Sequence, residues 1–325
     1  MITAPIYNPT LDLSIVVPLF NEDESLPELV DWITRVVTTM GISHEILLID
    51  DGSKDNSWQV IQQLKQRYPV IMGIRFSRNY GKSAALYTGF QEVKGHVVIT
   101  MDADLQDSPD EIPALYDLIR NQDYDLVSGW KQVRHDPLAK TIPSKFFNWV
   151  TSKMSGIKLH DFNCGLKAYK HKLVRSVELY GEMHRYIPVI AKWNGFDKIT
   201  EKVVVHRARK YGYSKFGLER FLNGFLDLLS ISFVTRFRKK PMHFFGLYGT
   251  LCFLFGFMVA VYLISEKLFL LSTGHLARNV TDQPLFFFAL VTIVIGVQLF
   301  LAGFLGEMMA QNNNRKNEYL VSETT

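Results

Sequence analysis

Asp102 and Asp104 stand one residue apart after the apolar run His96–Met101 (HVVITM), and Gln106 follows two residues on. Alternate carboxylates leaving a strand can both turn toward one hard cation in the loop beyond it. Oxygen donors suit Mg2+ or Mn2+, which complete their shells with water and substrate phosphates. A D-x-D pair alone is a weak signal, because solvated acidic loops are common. Here it closes a strand-like run, and Asp50-Asp51 closes an earlier one, Glu45–Ile49. Two further runs, Leu13–Val17 and Val70–Phe76, empty into Pro18-Leu19-Phe20-Asn21-Glu22 and Ser77-Arg78-Asn79-Tyr80-Gly81-Lys82. Four such chemically loaded exits favour a binding site over a set of polar turns.

Other chemistries are disfavoured by pattern. No G-x-G-x-x-G follows a strand-like run, which argues against a dinucleotide-binding site and a membrane oxidoreductase. Gly81-Lys82-Ser83 ends like a P-loop, but that motif needs a glycine five residues before Gly81, where Phe76 stands. Two cysteines, Cys164 and Cys252, make neither a disulfide framework nor a zinc site. With 36 Lys+Arg against 32 Asp+Glu, the net charge of +4 is too small to imply nucleic acid.

The elements that must position these residues follow from periodicity. Leu13–Val17, Glu45–Ile49, Val70–Phe76 and His96–Met101 are apolar on both faces, as buried parallel strands are, and Asp125–Val127 reads as a fifth. Between them lie amphipathic stretches, among them Lys82–Val93 and Asp110–Arg120. Ser25-Leu26-Pro27-Glu28 has the spacing of a capping box opening the first helix. This alternation predicts a doubly wound, mostly parallel α/β sheet, whose ligands lie beyond the carboxyl ends of its strands.

The remainder of the 325 residues is different. His243–Ile264 and Pro284–Leu305 contain no Asp, Glu, Lys or Arg, and each is 22 residues long. At about 1.5 Å per residue each reaches roughly 33 Å, enough to cross a bilayer core of about 30 Å. Arg236, Arg238, Lys239 and Lys240 precede the first run and Arg315 and Lys316 follow the second, while Ser265–Gln283 between them has no cationic excess. Positive-inside reasoning puts both termini and the N-terminal two-thirds in the cytoplasm, with two spans in the cell membrane. The first residues, MITAPIYNPTLDLS, have no secretory-signal pattern. The expected divisions are a catalytic domain at 1–212, an amphipathic juxtamembrane segment at 213–240 and a two-helix membrane domain with its tail at 241–325.

The chain resembles the GT-A glycosyltransferases of family 2. VVPLFNE at 16–22, LIDDGSKD at 48–55, SRNYGKSAAL at 77–86 and TMDADLQDSPDEIP at 100–113 carry that resemblance. DFNCGLKAY at 161–169, RARKYGYSKFG at 207–217 and two spans ending in FLGE at 304–307 narrow it to the polyisoprenyl-phosphate glycosyltransferases. That group includes bactoprenol glucosyltransferases, dolichol-phosphate mannose synthases and aminoarabinose lipid-carrier transferases.

The resemblance implies that Pro18, Phe20, Asn21, Glu22 and Asp51 hold the base and ribose of a nucleotide sugar, with uridine favoured over guanosine. It implies that Asp102 lies near ribose and metal, that Asp104 and Gln106 bind Mg2+ or Mn2+, and that Lys82 supports the pyrophosphate. A solvated helix-start lysine is the competing reading of Lys82, and a turn-former is that of Asp50. Asp161 matches the family's candidate base, acting by orienting the acceptor or by removing a proton. Arg207, Arg209, Ser214 and Lys215 would face a lipid phosphate, with Arg134, Lys140 and Ser144 as further candidates.

Residues 201–240 hold ten Lys/Arg against three Asp/Glu, so attraction to anionic headgroups at about 1 kcal/mol per cation contributes as well. Leu218, Phe221, Leu222, Phe225, Leu226 and Leu229 keep helical spacing, which predicts an amphipathic helix in the bilayer interface. The expected reaction is inverting sugar transfer to a polyisoprenyl phosphate, by a protein that relatives imply is a homo-oligomer, tetrameric by that analogy. A processive polysaccharide synthase would carry Q-x-x-R-W and more spans. A non-catalytic, membrane-anchored nucleotide-binding protein would show no metal-dependent transfer.

Overall fold

The structure, a computed structural model, describes residues 9–132, 148–207, 210, 241–276, 278–312 and 321–324. The chain divides into two compact units, one from residues 1–229 with 317–325, the other from 230–316. The expected amphipathic helix at 218–229 lies outside the described residues.

The first unit is built on an eight-stranded sheet in the order β7-β5-β6-β4-β1-β2-β3-β8. Its strands are β1 Leu11–Leu19, β2 His44–Asp50, β3 Ile71–Phe76, β4 Gly95–Thr100, β5 Leu126–Trp130, β6 Lys167–Lys170, β7 Ile199–Val203 and β8 Val321–Thr324. The four central strands β4-β1-β2-β3 run parallel, as does β5 with β7. β6 runs antiparallel to both β4 and β5, and β8 antiparallel to β3. Helices α1 Leu26–Met40, α2 Ser57–Arg67, α3 Lys82–Glu92 and α4 Ile112–Arg120 connect or follow the parallel strands. Three shorter helices, α5 at 148–155, α6 His171–Ser176 and α7 Ile187–Trp193, complete the unit. The mixed, mostly parallel sheet expected from the apolar runs is present. Leu13, Ile15, Val17, Ile46, Leu48, Val97 and Ile99 form its fully or almost fully buried centre, against Leu29 and Ile33 of α1.

β1 runs two residues past the Val17 expected as its end, and it contains Pro18 although it is central. Its pairing with β4 stops at Val16, so the missing N–H of Pro18 leaves no gap on that side. The expected capping box does not form. Ser25 already has helical angles, φ −88° and ψ −30°, and its carbonyl accepts the Leu29 N–H at 3.0 Å. Its hydroxyl instead donates to Glu22 Oε2 at 3.0 Å, and Glu28 is drawn to Lys210 at 2.6 Å. The chain therefore turns into the helix one step earlier, with Glu22 O accepting from Ser25 and Leu26.

The second unit is a helical hairpin, α8 Pro241–Ser272 and α9 Pro284–Asn312. Both helices outrun the uncharged segments expected as spans. α8 continues through Glu266 and Lys267 and stops near Gly274, whose φ of +75° ends helical geometry. Large apolar side chains line their outer faces, with Leu268 62% and Phe287 54% exposed. Within these helices the stretches Met242–Ser272 and Pro284–Met308, 31 and 25 residues long, expose rather than bury their apolar side chains, as helices in a bilayer do, and this is a membrane protein.

Candidate active site

The site is assembled where the parallel strands end. At the exit of β2, Asp50 is fully buried and its Oδ1 accepts the Ser53 N–H at 2.8 Å, the geometry of a turn-former. Burial pushes its carboxyl pKa up, against the pull of Ser53 and Arg75. Asp51 reaches across to the β3 exit, where its two oxygens accept the N–H groups of Tyr80 at 2.7 Å and Gly81 at 2.9 Å. A Cβ on Gly52 would stand 2.5 Å from the Arg78 carbonyl carbon, and its φ is +73°, so only glycine lets these loops touch. The two loops are thus locked as one piece, with Lys82 at the start of α3.

The β1 exit is pinned to the same block. Asn21 has φ +56°, donates its backbone N–H to Ser53 Oγ at 2.9 Å, and accepts the Lys54 N–H on its side-chain oxygen at 2.9 Å. Glu22 is held by Ser57 and Ser25, Pro18 is buried within β1, and Phe20 lies in the bend just after the strand.

Asp102 is the hub. It forms an ion pair with Lys82, and a Cβ on Gly165 would lie 2.4 Å from its Oδ2. The segment DFNCG is therefore pressed against the carboxylate, helped by Thr100 Oγ1 donating to Gly165 O at 2.9 Å. Burial would raise the Asp102 pKa, but the Lys82 and Lys131 ammonium groups prevail and hold it at about 2. Asp161, in the same segment, is buried, with its Oδ1 accepting the Asn163 N–H at 3.0 Å and its carbonyl accepting Ser128 Oγ at 3.1 Å. Asp104 is 8% exposed and its Oδ1 accepts the Gln106 N–H at 3.2 Å. Leu105 between them has φ +58°, a left-handed conformation that costs a non-glycine residue of order 1–3 kcal/mol.

Sequence reasoning passed over several neighbours. Asp107, fully buried, pairs with Lys131 at 2.7 Å. Burial alone would lower the Lys131 pKa, but Asp107 beside it raises it overall. Lys167 is buried, donates to Cys164 O, and has its pKa lowered by burial. His184 meets α3 through Ser83, with its N–H donating to Ser83 Oγ at 3.0 Å and its Nδ1 3.0 Å from the same oxygen. Burial, then Lys82 and Arg185, push the His184 pKa well below 6.5. The one available signal was the run of polar residues after Asp104, which includes Asp107. His184 sits in no pattern.

Arg207 stands apart from this hub. Its guanidinium carbon is 4.2 Å from the Trp32 ring centroid and its Nη2 is 4.0 Å from Asp110 Oδ2. Arg134, Lys140, Ser144, Arg209, Ser214 and Lys215 lie outside the described residues.

The donor set suits a hard divalent cation. Asp102, Asp104 and Gln106 offer oxygens from one loop, and a positive charge, the Lys82 ammonium, already rests against Asp102. Among the described residues no group of three or more His, Cys, Asp and Glu forms a closed metal cage. An open set of this kind fits an ion that draws the rest of its shell from substrate phosphates.

Residues 14–177 match the model of Glycosyl transferase family 2, half of the chain. The chain belongs to this family. As a glycosyltransferase it has relatives along nearly its whole length. The dodecaprenyl-phosphate galacturonate synthase of Rhizobium johnstonii is 34% identical over 309 residues, 94% of this chain and 90% of the relative. The undecaprenyl-phosphate 4-deoxy-4-formamido-L-arabinose transferase of Pseudomonas paraeruginosa is 34% identical over 301 residues, 92% of this chain and 85% of the relative. Among solved structures, glucosyl-3-phosphoglycerate synthase from Mycobacterium tuberculosis, in complex with Mn2+ and UDP-glucose, superposes with a TM-score of 0.52 at 17% identity, covering 70% of this chain and 79% of that one. Mannosyl-3-phosphoglycerate synthase from Rubrobacter xylanophilus gives 0.52 at 16% identity, covering 68% and 73%. These two share the GT-A fold with the glycosyltransferase.

Proposed function

We propose that this glycosyltransferase moves a sugar from a nucleotide sugar, with uridine favoured, to a polyisoprenyl phosphate at the cytoplasmic face of the cell membrane. The observation that carries the reading is the 34% identity over 94% of the chain to a synthase that uses a polyprenyl phosphate. The hub at Asp102 supports it, because it joins an anionic oxygen set to cations at the carboxyl end of the sheet.

In this reading the block of β1, β2 and β3 exits cradles the nucleoside, with Pro18, Phe20, Asn21 and Glu22 lining it and Asp51 holding its walls. Asp104 and Gln106 hold Mg2+ or Mn2+ with Asp102 beside them. When bound, the ion supplies a Lewis acid that neutralises charge growing on the departing diphosphate. Lys82 supports the pyrophosphate, leaving Asp102 as the donor moves in. An acceptor phosphate oxygen attacks the anomeric carbon as the bond from that carbon to the diphosphate breaks. The electron pair leaves with the diphosphate, and because the attack comes from the face opposite it, configuration inverts. A phosphate monoester has its second pKa near 6, so the nucleophile is already mostly charged at pH 7 and needs little help from a base. Asp161 then serves to orient the acceptor. Arg209, Ser214 and Lys215, with Arg134, Lys140 and Ser144, are the proposed lipid-phosphate contacts.

The test is turnover by the purified protein with Mn2+, undecaprenyl phosphate and a panel of UDP- and GDP-sugars. One donor should give a lipid-phosphate sugar, and Asp104→Ala should lower the rate by at least about 100-fold. Wild-type rates in Asp104→Ala would remove the metal role. No product with any donor would remove the whole assignment.

A further inference from the structure

The segment from Lys202 to Arg207 crosses the loop from Asp104 to Glu111 and is fastened to it at several points. The Arg207 N–H donates to Gln106 O at 2.9 Å. Asp107 and His206 form an antiparallel bridge. The Val205 N–H donates to Glu111 Oε1 at 3.2 Å, and Lys202 forms an ion pair with Glu111 Oε2. Arg207 lies over the Trp32 ring and near Asp110, while Trp32 Nε1 donates to Asp110 Oδ1 at 2.8 Å. One end of the loop carries Asp104 and Gln106. The other end carries Asp110 and Glu111, which the transfer reaction does not use.

Such fastening answers a physical need. Leu105, at φ +58°, holds the loop in a conformation that its own side chain disfavours. A strained loop persists only where surrounding contacts over-determine it, and two charge-assisted contacts to Glu111, whose own side chain is 13% exposed, contribute to that. The strap is also the N-terminal part of the basic stretch at 201–240.

We propose that Glu111 and Arg207 are positioning residues that fasten this strap across the Asp104–Glu111 loop and thereby hold Asp104 and Gln106 ready for the donor. The inference rests on the donor-side reading given above, and it moves Arg207 from acceptor-phosphate contact to loop support. Neither residue touches substrate; each acts through the loop backbone.

The experiment uses the full chain in lipid nanodiscs, as wild type, Glu111→Ala, Glu111→Gln and Arg207→Ala. The first measurement is amide hydrogen exchange without metal or donor. Exchange at Gln106, Asp107, Val205 and Arg207 should become about tenfold faster in Glu111→Ala and Arg207→Ala. Glu111→Gln keeps an oxygen for the Val205 N–H and should recover much of that protection. The second measurement is initial rate with a nucleotide sugar, Mn2+ and undecaprenyl phosphate. The apparent KM for the sugar donor should rise about tenfold in both alanine variants while the acceptor KM stays in place. Unchanged exchange overturns the proposal, and so does an Arg207→Ala that raises only the acceptor KM. The Arg207 side chain is half exposed, so this variant keeps the test open should Glu111→Ala fail to fold. If wild type transfers no sugar, the assignment of function falls, while the exchange result still decides whether the strap is fastened.

Discussion

Asp102 shows how one carboxylate can gather chain segments that are distant in sequence. Lys82 comes from the start of α3, Gly165 from the DFNCG segment, and Lys131 from the end of β5. The identities of Asp102, Asp104 and Lys82 were legible, because a D-x-D after an apolar strand and a lysine opening a helix are local patterns. Their pairing was not, since it depends on where two parallel strands end. His184 was wholly hidden: its partner Ser83 lies 101 residues away, and no spacing announces it. Histidine burial has a measurable consequence. His171 is 6% exposed, with Nδ1 2.9 Å from Gly95 O, and burial lowers its pKa below 6.5 despite that contact. His184 shifts the same way for the same first cause. Each binds a proton more readily unfolded than folded, so stability rises with pH in this range and is lost as pH falls from about 6.5 toward the lower folded pKa. Thermal midpoints measured from pH 8 to pH 5 should fall, and His171→Gln should flatten the drop. An unchanged pH profile in His171→Gln would show that His171 does not contribute.

At the scale of elements, the four central strands were readable because runs apolar on both faces have few other places to go. β6, with the sequence KAYK, carries no such signal and is a strand only because β4 and β5 flank it. Local capping logic failed at Ser25, where a tertiary partner, Lys210, competes for Glu28. In the hairpin the apolar runs announced the spans, but their contact is set by glycines that hydropathy ignores. A Cβ on Gly296 would lie 2.6 Å from Phe253 N and 2.7 Å from Gly249 O, and one on Gly256 would lie 2.7 Å from Ala289 O. Backbones this close are the usual means of helix association in lipid, where apolar burial offers little net drive. Gly296→Leu should therefore force α8 and α9 apart, lowering hairpin stability by about 1–3 kcal/mol. Val294→Leu, on an exposed position, is the control and should change little. Thermal unfolding of both variants in the same detergent measures the difference, and equal midpoints would show that the glycine seam does not set the packing.

The whole molecule combines a sheet with a returning tail and a hairpin of two candidate membrane spans. β8 follows α9 in the chain and pairs antiparallel with β3, Ile74 opposite Thr324 and Arg75 opposite Glu323. Two crossings return the chain to the side it left, so a tail strand on the catalytic sheet agrees with an even number of spans. From the flanking charges at 236–240 and 315–316 we propose that this side is the cytoplasm. Cysteine labelling can test the arrangement, because the native thiols can be silenced. Burial pushes the Cys164 thiol up to about 12, which leaves almost no thiolate at neutral pH, and Cys252→Ser removes the other. In that background Thr281→Cys, in the exposed turn between α8 and α9, should react with a membrane-impermeant maleimide added outside intact cells. Lys172→Cys, exposed on α6, should react only after the membrane is opened. Labelling of Lys172→Cys but not Thr281→Cys from outside would reverse the cytoplasmic assignment of the catalytic unit. Labelling of neither before opening would mean that the hairpin does not cross the bilayer.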